Sequence, residues 1–240
     1  MPKLISIIII TYNDKNNTLK LLESLKKTDY PNYEIIVSDN GSTDGTAEAI
    51  KKMFPNVKIV KNRKNLGYSS AVNLGFKETK GEYIVPLSSD MLIFKKDWLK
   101  ILVQVLESEK SIGMVRPMFM RYDHPEISES NVYDGKKNTG FGVKDVGQFP
   151  EVVEKKWVGN AIIKREVFEK IGLYDDRFFL YFEDVDFSRR ARKAGYKLLI
   201  ATRSKILHKR GETIRRFSKL RRKYYFYSSK LKYILKWLFI

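Results

Sequence analysis

Three observations predict an α/β protein built on a largely parallel sheet with helices on both faces. Short apolar runs of strand length alternate with segments of helical period along most of the 240 residues. Gly, Asn, Asp and Ser punctuate the junctions between them. Polar residues gather just after successive strands, on the edge where parallel sheets bind ligands.

The elements follow in order. "LISIIII" (residues 4–10) reads as a buried first strand, and Asn13 or Asp14 as the cap of a helix carrying Leu19, Leu22 and Leu25. "YEIIVSDN" is a second strand, and "GSTDGT" a turn into a helix near residues 47–53. "VKIVKN" is a third strand, followed by the loop "RKNLG" and a helix through residues 71–76. "EYIVPLSSD" is a fourth strand, "DWLKILVQVLES" a helix with Asp97 as its cap, and "SIGMVRPMFM" a fifth strand. Residues 121–150 lack a clear period and read as a long excursion with short hairpins. Periodicity returns with the helix "REVFEKIG", closed by Gly172. A helix over "EDVDFSRRARKAG" stops at Gly195, before a strand "YKLLIAT".

Composition agrees with one full-sized domain, or one with an appendage: 43% of residues are hydrophobic and 13% aromatic. With no cysteine, a disulfide framework, thiolate metal ligands and a cysteine nucleophile are excluded, which fits a reducing cytoplasm. The apolar run at residues 4–10 is too short to span a membrane and lacks a small-residue cleavage site, so it is expected to be a strand and not a signal peptide.

The strand-end clusters are Thr11-Tyr12-Asn13, Ser38-Asp39-Asn40, Asn65-Leu66-Gly67 and Ser88-Ser89-Asp90. One alone would be ordinary turn and cap chemistry; four on one edge favour a shared site. No G-x-x-x-x-G-K-[ST] loop, no G-x-G-x-x-G after strand one and no Gly-x-Ser-x-Gly elbow appears, and only His124 and His208 could serve a hydrolase triad. A nucleotide at these strand ends would meet carboxylates, amides and an aromatic face. Its pyrophosphate would then need a divalent metal to offset its charge.

The stretch "YFEDVDFSRR" crowds Glu183, Asp184 and Asp186 together. On a helix, Asp186 finds Arg189 and Arg190 three and four residues on, and Glu183 falls on roughly the same face. Asp184 meets only Phe187 and Ser188 at those offsets, so it is the acid least explained by its own helix. Negative charge at a helix start is also favoured by the dipole, and capping alone remains an alternative for all three.

The segments "SIIIITYN", "IIVSDNGSTDGT", "KNLGYSSAVNLG", "GEYIVPLSSD" and "GLYDDRFFLYFEDVDFSRRARKAGYKL" together resemble inverting family-2 glycosyltransferases of the GT-A fold, especially the rhamnosyltransferase-like branch. The match runs in order over residues 4–210. It implies a Rossmann-like, mostly parallel sheet and the transfer of a hexose, rhamnose or another, from a nucleoside-diphosphate sugar. The implied acceptor is a hydroxyl of a glycan or lipid-linked glycan in cell-surface polysaccharide or glycoconjugate synthesis.

By the resemblance, Thr11 and Tyr12, with Asn13 beside them, line the nucleotide pocket, and Asp39, followed by Asn40, hydrogen-bonds a uracil- or thymine-type base. UDP or dTDP donors are therefore expected. Asn65, Gly67 and Asn73 shape the floor under ribose and diphosphate. Asp90, after Ser89, matches the last acid of the family's DxD-type motif, of which "SSD" keeps one carboxylate, and His208 matches a downstream histidine. Both would hold Mg2+ or Mn2+ or contact the diphosphate. As alternatives, Asp90 could cap a helix and His208 could be a packing residue. The base falls at Asp184, with Glu183 orienting the acceptor or the base. Trp157 and Asn160 lie in a segment resembling the acceptor side, although Trp157 could equally be a core residue.

The chain thus divides into a catalytic domain, 1–211, with a nucleotide-sugar half (1–118) and an acceptor and catalytic half (119–211), and a basic amphipathic tail, 212–240. From residue 203 onward 13 lysines and arginines face one acid, Glu212, giving +12 of the total +18. Phe217, Leu220, Tyr224, Tyr227, Leu231, Ile234 and Leu238 form a seam of period 3.5. A helix lying on an anionic membrane surface is expected, which would place the protein at the cytoplasmic face of the cell membrane. Homodimerisation or domain packing through the same seam is the competing expectation. Nucleic acid is not an expected partner, since nothing upstream supports it. Two other functional readings compete. A sugar-nucleotide nucleotidyltransferase would want a glycine-rich, basic loop where "TYNDKNN" stands, and a non-catalytic nucleotide-sugar or membrane-binding module has the single-acid "SSD" as support.

Overall fold

The computed structural model describes residues 1–128, 132–133, 138–139, 143–144, 151–209 and 217–238. Its first half is β1 (Ile5–Thr11), α1 (Lys15–Leu25), β2 (Tyr33–Asp39), α2 (Thr46–Met53), β3 (Lys58–Lys61), α3 (Tyr68–Phe76), β4 (Tyr83–Ser88), β5 (Met91–Leu92), α4 (Trp98–Glu107) and β6 (Ile112–Arg121). Four short strands follow: β7 (Ile127–Ser128), β8 (Val132–Tyr133), β9 (Asn138–Thr139) and β10 (Val143–Lys144). The chain then forms β11 (Val152–Glu154), β12 (Ile162–Lys164), α5 (Arg165–Ile171), α6 (Glu183–Lys193), β13 (Lys197–His208) and α7 (Lys219–Leu238).

The first four long strands pair in parallel in the order β3-β2-β1-β4. β1 explains why the run is apolar throughout. Ile5, Ile7 and Ile9 enter the core under α1, α2 and α4, while Ile8 and Ile10 enter the opposite core under α3, α5 and α6. Alternate residues of a strand face opposite sides, so a strand covered on both faces has no polar register. The expected fifth strand does not join β4 directly. β12, not foreseen from its three residues, lies between them, antiparallel to both β4 and β6. Its register with β4 covers only Tyr83 and Ile84, ending before Pro86, which has no N–H to give.

β13 runs well past the expected 196–202, pairing in parallel with β6 through a bulge between Ala201 and Lys205. Its end pairs antiparallel with β5, setting His208 opposite Met91. Two expected caps stand at the right positions but do not cap. Asp14 and Asp97 precede α1 and α4 with no side-chain capping bond. Asp14 instead accepts from Asn17 Nδ2 (2.9 Å) and Ser89 Oγ (2.8 Å), and the Lys15 N–H is taken by Asp44 Oδ2 (3.0 Å) from the neighbouring turn.

Candidate functional site

A cavity of about 440 Å³ opens at the carboxyl edge of the parallel strands. One wall comes from strand ends: Thr11 and Tyr12 after β1, Asn40 after β2, Asn65, Gly67 and Tyr68 at the start of α3, and Ser88 and Asp90 after β4. The rest of the lining includes Gly159, Asn160, Phe179, Leu180, Glu183 and Asp184, with Phe217 and Arg222 from the tail.

The nucleotide-side loops are held by amides. Asn40 Nδ2 donates to Asn65 Oδ1 (2.9 Å) and Gly67 O (3.0 Å), while its Oδ1 accepts from Asn62 Nδ2 (2.8 Å) and the Leu66 N–H (3.1 Å). Both ends of Asn40 are thus used to fix the 62–67 loop. Gly67 has φ +89, and an added Cβ would lie 2.7 Å from Phe179 Cα. That close approach lets the Tyr68 N–H donate to Phe179 O (2.9 Å), tying α3 to the segment before α6.

Several expected site residues stand behind the wall. Asn73 braces the Tyr174 backbone through Nδ2 to O (2.8 Å) and N to Oδ1 (3.1 Å), and does not line the cavity. Asn13, at φ +48, gives its N–H to Ser42 Oγ (2.8 Å) and accepts the Thr43 N–H at Oδ1 (2.7 Å), clamping the 41–45 turn. Asp39 is fully buried; Oδ1 accepts the Ser42 N–H (2.8 Å), and Oδ2 lies 3.8 Å from Lys61 Nζ. Ser89 turns to Asp14, and its neighbour Ser88, paired with the cavity-lining Ile10, faces the site instead. Trp157 is 49% exposed and outside the cavity, so it is not a core residue. Asn160, at φ +48, lines the cavity and accepts from Tyr68 OH (3.2 Å) and Ser88 Oγ (3.4 Å) at Oδ1.

Asp90 is not a helix cap. Nearly buried after β4, it sits with Oδ1 3.6 Å from His208 Nε2, and its carbonyl accepts the Lys209 N–H (2.9 Å). The β5–β13 pairing creates this juxtaposition across 118 positions of sequence. A carboxylate and an imidazole side by side in a cavity suit a divalent cation. Among the described residues no three His, Asp or Glu cluster, so a bound ion would complete its coordination with phosphate oxygens and water.

The three acids of α6 part differently from the helical-offset expectation. Glu183 and Asp184 both line the cavity, because α6 points its first turn at it; the preceding Phe182 is left-handed, at φ +67. Asp186, one turn on, is fully buried away from the cavity. It accepts from Arg190 Nε (2.9 Å), Lys236 Nζ (2.9 Å) and Trp237 Nε1 (3.0 Å); the expected second partner, Arg189, stacks on Trp237 instead. Asp184 Oδ1 accepts the Val185 N–H (2.8 Å), and an added Cβ on Gly159 would stand 3.0 Å from Asp184 Oδ2. Burial raises the Asp184 pKa, against that hydrogen bond and the charge of Arg116. Burial and then the Asp184 charge push Glu183 up to about 8.

Sequence reasoning missed Phe217 and Arg222, which belong to the tail, and Arg116 on β6, whose shielded Nε has no hydrogen-bond partner. The sequence placed Phe217 in the apolar seam with no role in the site, and from Leu220 on that seam drew attention to the side of α7 opposite Arg222. No local signal placed Arg116 near α6, which is 68 residues away from it at Asp184.

A family model described as Glycosyl transferase family 2 matches residues 6–172, well over half of the chain. The N-acetylglucosaminyl-diphospho-decaprenol L-rhamnosyltransferase of Mycobacterium tuberculosis is 25% identical over 87% of this chain and 76% of its own. Glycosyltransferase GlyG of Streptococcus pneumoniae is 28% identical over 75% of this chain and 62% of its own. Among solved structures, a mannosyltransferase of Pyrobaculum calidifontis in complex with GDP-Man and Mn2+ superposes with TM-score 0.66 at 22% identity, over 88% of this chain and 59% of that one. S. aureus TarS 1–349 gives 0.65 at 21%, over 87% and 61%. The chain therefore spans about three-fifths of these solved chains, and shares the GT-A arrangement of sheet and helices. It belongs to glycosyl transferase family 2.

Proposed function

We propose that the protein transfers a hexose from a nucleoside-diphosphate sugar to a hydroxyl of a glycan or lipid-linked glycan, with inversion. The observation that carries this reading is that the Asp90–His208 pair and the Glu183–Asp184 pair line one cavity. Asp184 takes the acceptor proton as the hydroxyl oxygen bonds to the anomeric carbon. The bond from that carbon to the diphosphate oxygen breaks, and the nucleoside diphosphate leaves with the electron pair. Asp90 and His208 would hold Mg2+ or Mn2+, which when bound offsets charge on the leaving diphosphate. Gly159 keeps the space beside Asp184 open. The rhamnosyltransferase relative supports a lipid-linked acceptor, and UDP or dTDP remain the proposed donor nucleotides. The solved neighbours bound to GDP-Man with Mn2+ or to UDP support a metal and a nucleotide sugar in general.

The outward face of α7 supports a peripheral position on an anionic membrane. Leu220, Tyr224, Tyr227, Leu231, Ile234 and Leu238 are all exposed, and the helix carries seven lysines and arginines with no acid. Among the described residues no helix is long and apolar enough to cross a membrane.

The test is a donor panel with Mn2+ or Mg2+ on the unaltered chain and on Asp184→Asn. Transfer is expected to disappear in the variant while nucleotide binding survives. Near-normal turnover of Asp184→Asn would sink the assignment.

A further inference from the structure

We propose that Arg222 of α7 binds the donor's diphosphate and stabilises it as it leaves, so that the tail helix completes the active site; this rests on the donor reading above. The helix is fixed where it stands. Ser229 Oγ donates to Leu180 O (2.8 Å), Lys232 Nζ to Arg177 O (2.8 Å), and Tyr225 stacks on Phe179 at 4.4 Å between ring centroids. Lys236 and Trp237 anchor the far end on Asp186. These contacts turn Arg222 inward, half-buried on the cavity wall.

The other cations of α7 have evident roles. Lys232 and Lys236 are used in docking, Arg221 meets Tyr225 OH (3.2 Å), and Lys219, Lys223 and Lys230 are exposed. Arg222 has no ion pair among the described residues, and its shielded Nε has no hydrogen-bond partner. A guanidinium stays charged when shielded, so an unmatched one costs stability unless a ligand meets it. The obvious internal acceptor is not used. Glu183 lines the same cavity, makes no ion pair with Arg222, and has its own Oε2 shielded without a partner.

Charge identifies the ligand. Among the described residues on the cavity wall, Asp90, Glu183 and Asp184 are acids, and Arg222 is the only lysine or arginine. A diphosphate entering beside these acids needs more than one divalent ion to balance it. The forked guanidinium can meet two phosphoryl oxygens at once, and its attraction grows as the breaking bond moves charge onto the diphosphate. A lipid-linked acceptor also carries phosphate, so the test must separate the two sources.

Calorimetry on the full chain with Mn2+ would compare UDP, dTDP and GDP with their nucleosides, and with farnesyl diphosphate as an acceptor-side probe. Arg222→Gln is expected to weaken the best-bound nucleoside diphosphate about 10- to 100-fold and to leave the nucleoside within about twofold. Arg222→Lys, which keeps the charge but loses the fork, should fall between. It also decides the matter if the Gln variant loosens α7, as read by trypsin cleavage. Lys223→Gln, exposed one residue on, should bind as the unaltered chain does. Unchanged nucleoside-diphosphate affinity in Arg222→Gln overturns the proposal alone. So does a loss confined to farnesyl diphosphate, which would place Arg222 on the acceptor. Failure of the unaltered chain to bind any nucleoside diphosphate overturns the donor reading and this inference with it.

Discussion

Glu183 and Asp184 are neighbours in sequence and are buried together, and burial raises the pKa of both. Arg116 and the Val185 N–H favour the charged form of Asp184 against burial. Glu183 has burial and the Asp184 charge acting together, which lifts it to about 8. Near neutral pH Glu183 therefore keeps its proton and adds no charge against the ionisation of Asp184, the form a base requires. The same shift has a consequence for folding. A carboxyl whose folded pKa lies above its ordinary 4.5 binds a proton that the unfolded chain has released. Its contribution is present below about 4.5 and is lost as pH rises to about 8. Glu183→Gln should flatten that decline, measured by urea unfolding at intervals from pH 5 to 9; an unchanged slope would show that Glu183 is not the group responsible. The helical offsets in the sequence grouped Glu183 with Asp186 because spacing alone carries no information about helix ends. Only the packing of α6 shows that its first turn faces the cavity while the next is covered by α7.

At the scale of elements, the sheet was the most legible part and the tail the least. β1 to β4 stand where apolar runs and turn residues put them, since β1, β2 and β4 bury residues on both faces and the edge strand β3 packs a half-buried Ile59 against the core. β12 was invisible because three residues inserted antiparallel have no period to read. For α7 the seam was readable but its direction was not. From Leu220 on the apolar seam faces outward, its first member Phe217 lines the cavity, and the helix docks through Tyr225, Ser229, Tyr233, Lys236 and Trp237. The reason lies 50 residues upstream, where the fully buried Asp186 offers a charge that Lys236 and Trp237 complete. Removing that carboxylate leaves Arg190 without an anion and Lys236 with Asp175 alone. Asp186→Ala should therefore cost about 3–5 kcal/mol of stability in chemical denaturation. It should also release α7 to trypsin, whereas a cost below about 1 kcal/mol would mean that the helix is held by its stacked rings alone.

Over the whole molecule, charge and apolar exposure meet on one face. The basic excess is concentrated after residue 203, and within α7 it brackets the exposed seam: by helical period Arg221 falls on one flank and Lys223 and Lys230 on the other. Such an arrangement lets leucines enter the acyl boundary while the cations reach lipid phosphates. Each cation near an anionic surface contributes about 1 kcal/mol, and each leucine fully buried about 1.5–3 kcal/mol. The apolar seam thus contributes more than the charges do, and salt should weaken binding without abolishing it. The full chain is expected to sediment with vesicles holding phosphatidylserine or phosphatidylglycerol, and far less with purely phosphatidylcholine vesicles. Replacing Leu231 and Ile234 together by Ser should weaken that binding by about 100-fold, from roughly 3 kcal/mol of lost burial. The same variant should bind nucleotide normally, because neither side chain lines the cavity. Equal sedimentation with neutral vesicles, or a lipid-free dimer by light scattering that the double variant dissociates, would assign the seam to a second copy of the chain instead.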